Sequence, residues 1–469
     1  MSQSPAEGPP TRIAVIGGGA AGTVAAVHLM REARLGLAEV LLIDRDGEYG
    51  PGVPYRTEDP QHVLNVPACR MGAIAGEPEH FHRWLLAGGE EVGPEAFLPR
   101  GVFGAYLRDL LDHSERESAD RVSLRRMTGE VVSIAAGSSL DVRLANGDSL
   151  EVDRAILAVG PLPSADPVTV PAQLRDGRYL ADPWGRGALE AARRDRSVLI
   201  IGTGLSMVDV ALSLSEGDGG PAIRAVSRHG LLPRRHRPDL TRVQPFEVPL
   251  ESGDLAPVVA AVFERIGLVT QEGGDWRDVL DSLRPQTANV WRSLRVEEKR
   301  RFFTEMQRFW DVHRFRMAPA VADRFDALLE RGAVRADARS IVSLEETPGG
   351  VRVLLRAGGH DELEMLEVDR VIKCAGAGYE IGKQAPPLIA DLLERGLGRP
   401  DGLSLGLDVD PAGAALIDAE SRSSDRIHVV GALRKGVEWE AIGITEIRDH
   451  SAAAAEAAVA AALSRAARP

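Results

Sequence analysis

The sequence predicts an α/β fold of two dinucleotide-binding, Rossmann-like domains, the second inserted into the first, with an extra helical block. Three observations predict it. A glycine-rich turn joins a strand to a helix near residue 17, a second does so near residue 202, and each half ends in a similar run, Val152–Gly160 and Val368–Gly376. Those runs share Val, Asp, Arg, Ile and Gly at corresponding places, so the chain reads as two copies of one plan.

The first copy opens on Thr11–Gly17, an apolar, β-branched run that reads as a buried parallel strand. Gly17-Gly18-Gly19-Ala20-Ala21-Gly22 follows, then helical spacing to about Arg34 and a strand Glu39–Ile43 closed by Asp44. Phe103–His113 is spaced as a helix. Alternation from Val122 to Val152 reads as a meander, with Asn146-Gly147 as a hairpin turn. In the second copy, strand Ser197–Ile201 meets Gly202-Thr203-Gly204, then a helix to about Ser215 and a strand Ala222–Val226 ending at Ser227-Arg228. A second meander spans roughly Val334–Val368, turning at Gly349-Gly350. The block at about Pro238–Leu329 has helical spacing and three of the six tryptophans, Trp276, Trp291 and Trp310. It reads as a substrate-side insertion or as a helical cover for a sheet face. Ala-rich Ser451–Arg468 reads as a helix.

Composition bounds the function. A length of 469 residues suggests about three domains. With 44% hydrophobic and 27% charged residues the chain is globular. The net charge of -13 argues against nucleic acid or an anionic membrane as main partner. The two cysteines, Cys69 and Cys374, form no Cys-x-x-Cys, so neither a zinc site nor a neighbouring redox disulfide is expected, and no metal is assigned. No signal peptide is read, and Ile13–Met30 is broken by glycines and His28, so a cytoplasmic chain without a membrane span is expected.

The glycine turns carry the chemistry. Gly17 permits the tight turn, Gly19 lets backbone approach a pyrophosphate, and Gly22 allows close helix–strand packing. The helix start offers unpaired N–H groups and a positive dipole end, and Asp44 can accept from both ribose hydroxyls. The second turn keeps Gly202 and Gly204 but has Met207 at the third small position, which predicts a helix held further off its sheet. Ser227-Arg228 stands where Asp44 stands in the first copy. Ser and Arg receive a 2′-phosphate that a carboxylate would repel. His229, Arg234, Arg235, His236 and Arg237 either extend that patch or form a solvated basic loop. The pair of sites thus reads as FAD in the first copy and NADPH, rather than NADH, in the second.

These motifs resemble those of two-dinucleotide-domain flavoprotein monooxygenases, the group with FAD-dependent urate hydroxylase and aspartate N-monooxygenase. The residues that carry the resemblance are Gly17–Gly22, Pro51–Tyr55, His62–Pro67, Asp182-Pro183-Trp184, Gly202–Asp209, Ser227–Pro233, Trp310–Pro319 and Gly431–Arg448. It implies an FAD domain in two parts, 1–165 and 369–469, around an NADP domain at 166–368 whose helical insertion covers about 238–329. The cofactor residues it implies are Gly17, Gly18, Gly19, Ala20, Ala21, Gly22, Asp44, Arg45, Asn65, Val131, Gly160, Gly202, Gly204, Ser206, Ser227, Arg228, Gly376, Gly431 and Trp439. Val131 would offer backbone to the adenine, Asn65 would lie beside the isoalloxazine, and the helix after Trp439-Glu440 would point at the flavin pyrimidine. An acidic residue common after the last glycine is replaced by Ala432. For Trp310 and His313 core packing is expected.

The resemblance implies an NADPH-dependent monooxygenase that hydroxylates a small molecule at N or C through a flavin hydroperoxide, with Asn65 as the catalytic candidate. O₂ and a small-molecule substrate are then the partners, and a homodimer is one arrangement open to it. A flavin reductase or dehydrogenase without oxygen insertion, and a non-catalytic redox-sensing flavoprotein, are the alternatives.

Overall fold

The computed structural model describes residues 10–32, 38–217, 219–237, 245–358, 362–376, 378, 381–382 and 385–466, with side chains as far as 460. The expected helix end at Arg34 and block start at Pro238 lie outside the described residues. Strand β1 (Thr11–Ile16) leads into helix Ala20–Glu32, then β2 (Ala38–Asp44), helix Arg100–Ser118 and β3 (Val122–Thr128). A separate three-stranded antiparallel sheet follows, made of β4 (Val131–Ala136), β5 (Leu140–Leu144) and β6 (Ser149–Val152). Gly147, at φ 93°, makes the β5–β6 turn as expected, with Asn146 Oδ1 accepting from the Asp148 N–H at 3.0 Å. Strand β7 (Arg154–Leu157) then returns beside β1.

The second unit runs β8 (Tyr179–Leu180), β9 (Ser197–Ile201), helix Leu205–Leu214 and β10 (Ala222–Ser227), then the helical block. It resumes with β11 (Val334–Thr347), β12 (Gly350–Ala357), β13 (Leu363–Val368) and β14 (Arg370–Lys373). Strands β15 (Ala415–Ile417) and β16 (Ser423–Val429) go back to the first unit. The first sheet is ordered β15-β16-β7-β1-β2-β3 and the second β13-β12-β11-β10-β9-β14-β8.

Two expectations need correction. Val122–Thr128 is not part of the meander; it pairs parallel with β2 in the main sheet. Its alternating pattern reflects an edge strand with one solvated face. Arg370–Lys373 pairs with β9 and β8, so it lies in the second sheet, beyond the boundary expected at 368/369.

The matched Val-Asp-Arg runs have a physical reason. Asp153 accepts from the Arg12 backbone N–H at 2.9 Å, and Asp369 from those of Arg196 and Ser197 at 2.7 and 3.1 Å. Each carboxylate satisfies the N–H groups at the mouth of the central strand, β1 or β9, just before its own strand joins the sheet.

The first sheet has an apolar core on each face. On one face Ala454, Ala455 and Ala458 of the C-terminal helix Ile444–Ala466 are fully buried with Ala25, Ala26 and Leu29 of the first helix. Small side chains let these helices approach closely. In the second unit Met207, which stands at the position of Gly22, is fully buried among Val198, Ile200 and Phe325. Helix Pro319–Glu330 covers that sheet face. The rest of the helical block leans on the C-terminal segment instead. Arg314 is paired twice with Glu440, at 2.9 and 2.8 Å, Trp291 donates to Gly436 O, and Arg284 to Thr445 Oγ1.

A buried polar strut joins the units. His62 lies between Thr57 Oγ1 and Ser213 Oγ, at 2.7 and 2.9 Å, and Ser213 donates to Asp59. Arg100 pairs with buried Asp209 at 2.7 Å. Burial lowers the His62 pKa to about 4. The unfolded chain takes up a proton there near pH 6.5 while the folded chain stays neutral, so this contribution to stability is complete above pH 6.5 and is lost as pH falls towards 4. Between pH 7 and pH 5 the stability advantage of wild type over His62→Gln is expected to shrink by about 2 kcal/mol. Urea unfolding at both values measures it; a constant difference would show that His62 takes up its proton equally in the folded and unfolded chain.

Candidate functional site

The first glycine turn has no room for side chains. Gly17 has φ 110°, and a Cβ on it would sit 2.3 Å from the Ala158 carbonyl oxygen; one on Gly22 would sit 1.7 Å from Gly17 O. Gly19 is bare for another reason. It faces Gly52, φ 57°, whose added Cβ would stand 3.1 Å from Gly19 Cα. Two glycine backbones therefore meet beside the start of helix Ala20–Glu32, where the N–H groups of Ala20 and Ala21 belong to the unpaired first turn. Gly160, φ 77°, has open space around its α-carbon. Gly431, φ 77°, lies against Ala21, its added Cβ 3.3 Å from that methyl. This bare, N–H-rich cradle has the chemistry a pyrophosphate needs.

Asp44 sits at the end of β2. One oxygen accepts from the Gly18 N–H at 2.8 Å and the other from the Asp46 and Glu48 N–H groups, at 2.9 and 3.2 Å. These bonds hold the carboxylate at the rim of the cradle. The Gly129 N–H donates to Asp44 O at 2.9 Å, which brings the turn before Val131 to the same rim. Arg45 is exposed and hydrogen-bonded to Asp46.

The second turn repeats the backbone. Gly202, φ 108°, would place a Cβ 2.3 Å from Cys374 O, and its N–H donates to Val226 O at 2.8 Å, as Gly17 donates to Ile43 O at 2.8 Å. Gly204 and Gly376 have open space around their α-carbons. Gly204 caps helix Leu205–Leu214 without a side-chain bond, and Ser206 lies in the first turn of that helix. The end of the second strand differs. Ser227 Oγ bonds Thr203 Oγ1 and accepts from the Gly230 N–H, both at 2.9 Å, and Arg228 is exposed beside it. The wider patch is smaller than the sequence suggests. Arg235 pairs with Asp323 and Asp326, Arg237 with Asp278, and His236 is buried. Arg308 comes near instead: with Arg228 it adds to burial in holding the His229 pKa down. No local sequence signal marks Arg308, which arrives from the helical block.

Asn65 is half-buried. Its backbone carbonyl accepts from His236, whose pKa burial lowers to about 4, so the neutral ring donates through Nε2 at 3.0 Å. Its side-chain amide has no hydrogen bond among the described residues and is free for a ligand. The Trp439 ring packs against Trp291 and Phe302, with centroids 4.8 and 5.1 Å away. Trp310 and His313 belong to the same block and are only half-buried. Gly52, Thr203 and Arg308 are the residues that the sequence reading did not assign to the site.

Residues 14–162 match the family model described as FAD-NAD(P)-binding. A curated L-aspartate N-monooxygenase (nitrosuccinate-forming) of Streptomyces davaonensis is 29% identical over 183 residues, 35% of this chain and 28% of that protein. The match thus spans under a third of that relative's length. Ornithine hydroxylase of Pseudomonas aeruginosa superposes with a TM-score of 0.64 at 16% identity, over 97% of this chain and 100% of that one. The ornithine N-hydroxylase of Kutzneria sp. 744, solved with reduced FAD, NADP⁺ and L-ornithine, gives 0.63 at 15% identity over 97% and 100%. The bacillithiol disulfide reductase of Staphylococcus aureus gives 0.57 at 14% identity over 97% and 99%. The chain therefore has the fold of two-dinucleotide-domain flavoproteins, as the paired turns predict.

Gly19→Val would fill the contact between the two glycine backbones. The purified variant is expected to be colourless where wild type is yellow; undiminished flavin absorbance would exclude this turn as the FAD site. Arg228→Ala is expected to raise the NADPH constant about ten- to a hundredfold, the worth of a charge-assisted bond to a phosphate. Steady-state kinetics with NADPH and NADH check it, and equal losses for both would make Arg228 structural.

Proposed function

We propose that the chain is an FAD-dependent monooxygenase that uses NADPH and O₂ to hydroxylate a nitrogen of a small molecule. One observation carries the reading: two backbone cradles of one design with opposite ribose ends, Asp44 in one and Ser227-Arg228 in the other. The N-hydroxylating enzymes among its relatives and structural neighbours support the reaction type.

FAD bound in the first cradle would accept a hydride from NADPH and activate O₂, chemistry that belongs to the cofactor. The protein's residues would do the rest. The first-turn N–H groups of helix Ala20–Glu32 bind the pyrophosphate, and Asp44 receives the ribose hydroxyls. Arg228 takes the 2′-phosphate, with Gly204 and Ser206 at the adjoining helix start. Asn65, its carbonyl pinned by His236, presents an amide that can donate and accept at the reacting edge. The strut through His62 and Asp209 keeps the two cradles in register.

Disulfide reduction fits the chain poorly, although the fold is shared. Cys374 is buried and its thiol is pushed up by desolvation; Cys69 is pushed up as well, and both are free. Free cysteines suit a cytoplasmic, reducing compartment. Among the described residues no helix is long and apolar enough to cross a membrane. Leu363 and Met365, 53% and 66% exposed on edge strand β13, would give a homodimer an apolar edge.

The test is product stoichiometry: NADPH and O₂ consumed against hydroxylated product and hydrogen peroxide, with a panel of amines and amino acids. One or more is expected to couple NADPH to product, and Asn65→Ala should keep its flavin while diverting electrons to peroxide. Peroxide alone across the panel, together with rapid reduction of quinones or dyes, would establish a reductase instead.

A further inference from the structure

The chain that follows Ser227-Arg228 is stitched to the helical block by three backbone bonds. The Arg234 N–H donates to Val312 O, the Met317 N–H to Arg234 O and the His236 N–H to Met317 O, each at 2.8 Å. Val312 lies on helix Gln307–Arg314, so that helix stands beside the second nucleotide cradle. The helix is fixed at its far end as well, where Arg314 is paired twice with Glu440. It starts directly after a π-helical turn, Phe302–Met306, and turns of this kind are frequent at functional sites.

Arg308 stands four residues before Val312, on the same side of that helix. Its guanidinium donates through Nη1 to Thr304 O at 2.9 Å and lies 4.7 Å from the Phe309 ring centroid. Neither contact neutralises it, and it has no ion pair among the described residues. Arg228, exposed at the strand end, has none there either. Other basic residues of the same loop do find acids: Arg235 pairs with Asp323 and Asp326, and Arg237 with Asp278. The exposed His229 shows where the unneutralised charge collects. Desolvation lowers its pKa, and the charges that add to this are Arg308 and then Arg228, with no carboxylate opposing them. Cations gathered without a counter-ion repel one another. In a chain of net charge -13, such a cluster is a place prepared for an anion.

We propose that Arg308 is a second guanidinium for the 2′-phosphate of NADPH: the helical block reaches over the nucleotide site and, with Arg228, selects NADPH over NADH. This rests on the assignment of NADPH to the second cradle. It adds a contribution from outside the dinucleotide-binding unit, made by a residue that no glycine or strand motif marks. A phosphate monoester suits the two arginines better than a carboxylate does, because it brings close to two charges and three acceptor oxygens, enough for two forks.

Calorimetric titration of the FAD-loaded protein with NADP⁺ and with NAD⁺ tests it, without substrate or O₂. Arg308→Gln keeps a donor for Thr304 O and removes the charge. It is expected to weaken NADP⁺ about three- to tenfold and to leave NAD⁺ unchanged. Arg308→Lys restores the charge without the fork and should recover part of the loss. NADP⁺ binding should also become less sensitive to salt in Arg308→Gln, a change that a merely structural role would not produce. Equal weakening of both nucleotides, or an NADP⁺ constant unmoved in Arg308→Gln, overturns the proposal. If Arg228→Ala abolishes the preference for NADP⁺ while Arg308→Gln keeps it in full, the NADPH assignment stands and only Arg308 is excluded. A wild type that binds NAD⁺ as tightly as NADP⁺ removes the assignment and the proposal together.

Discussion

Both halves of the molecule depend on one steric constraint. At the end of each central strand, β1 and β9, a glycine must pass within contact of the carbonyl on the returning strand. A Cβ on Gly17 or on Gly202 would stand 2.3 Å from that oxygen, Ala158 in one case and Cys374 in the other. This close passage lets a helix start at the sheet edge with its N–H groups open. The Asp153 and Asp369 carboxylates secure the opposite end of the same strands. What remains at the open end is backbone, and backbone N–H groups at a helix start favour phosphate.

On this shared frame a few side chains set the difference between the copies. Asp44 is fixed by three backbone N–H groups and presents a carboxylate. Ser227 is fixed by Thr203 and Gly230 and leaves Arg228 exposed. The frame therefore tolerates a change of charge at the end of its second strand without a change of fold. Met207 shows the same tolerance on the inner side: its side chain is buried in the core of the second unit, where Gly22 lies against the Gly17 carbonyl in the first.

Much of this plan was legible in the sequence because it is local. Glycine spacing, strand runs and the residue ending each second strand lie within short windows, and the repeat confirms them. Residues defined by distant partners were not legible. The place of β14 depends on pairing with β9, from which it is separated by the whole helical block. Arg235 and Arg237 look like phosphate ligands until Asp323, Asp326 and Asp278 fold against them. Trp439 reads as a flavin-side residue from its motif, and its packing against Trp291 and Phe302 comes from partners far away in sequence.

The central claim is that one chain holds two independent dinucleotide sites built on the same backbone device. Equilibrium dialysis of the FAD-loaded protein against NADP⁺ tests it most directly. One NADP⁺ per chain should bind while FAD stays at one per chain, with neither nucleotide lowering the occupancy of the other. Release of FAD as NADP⁺ binds, or a total of one dinucleotide per chain, would contradict it.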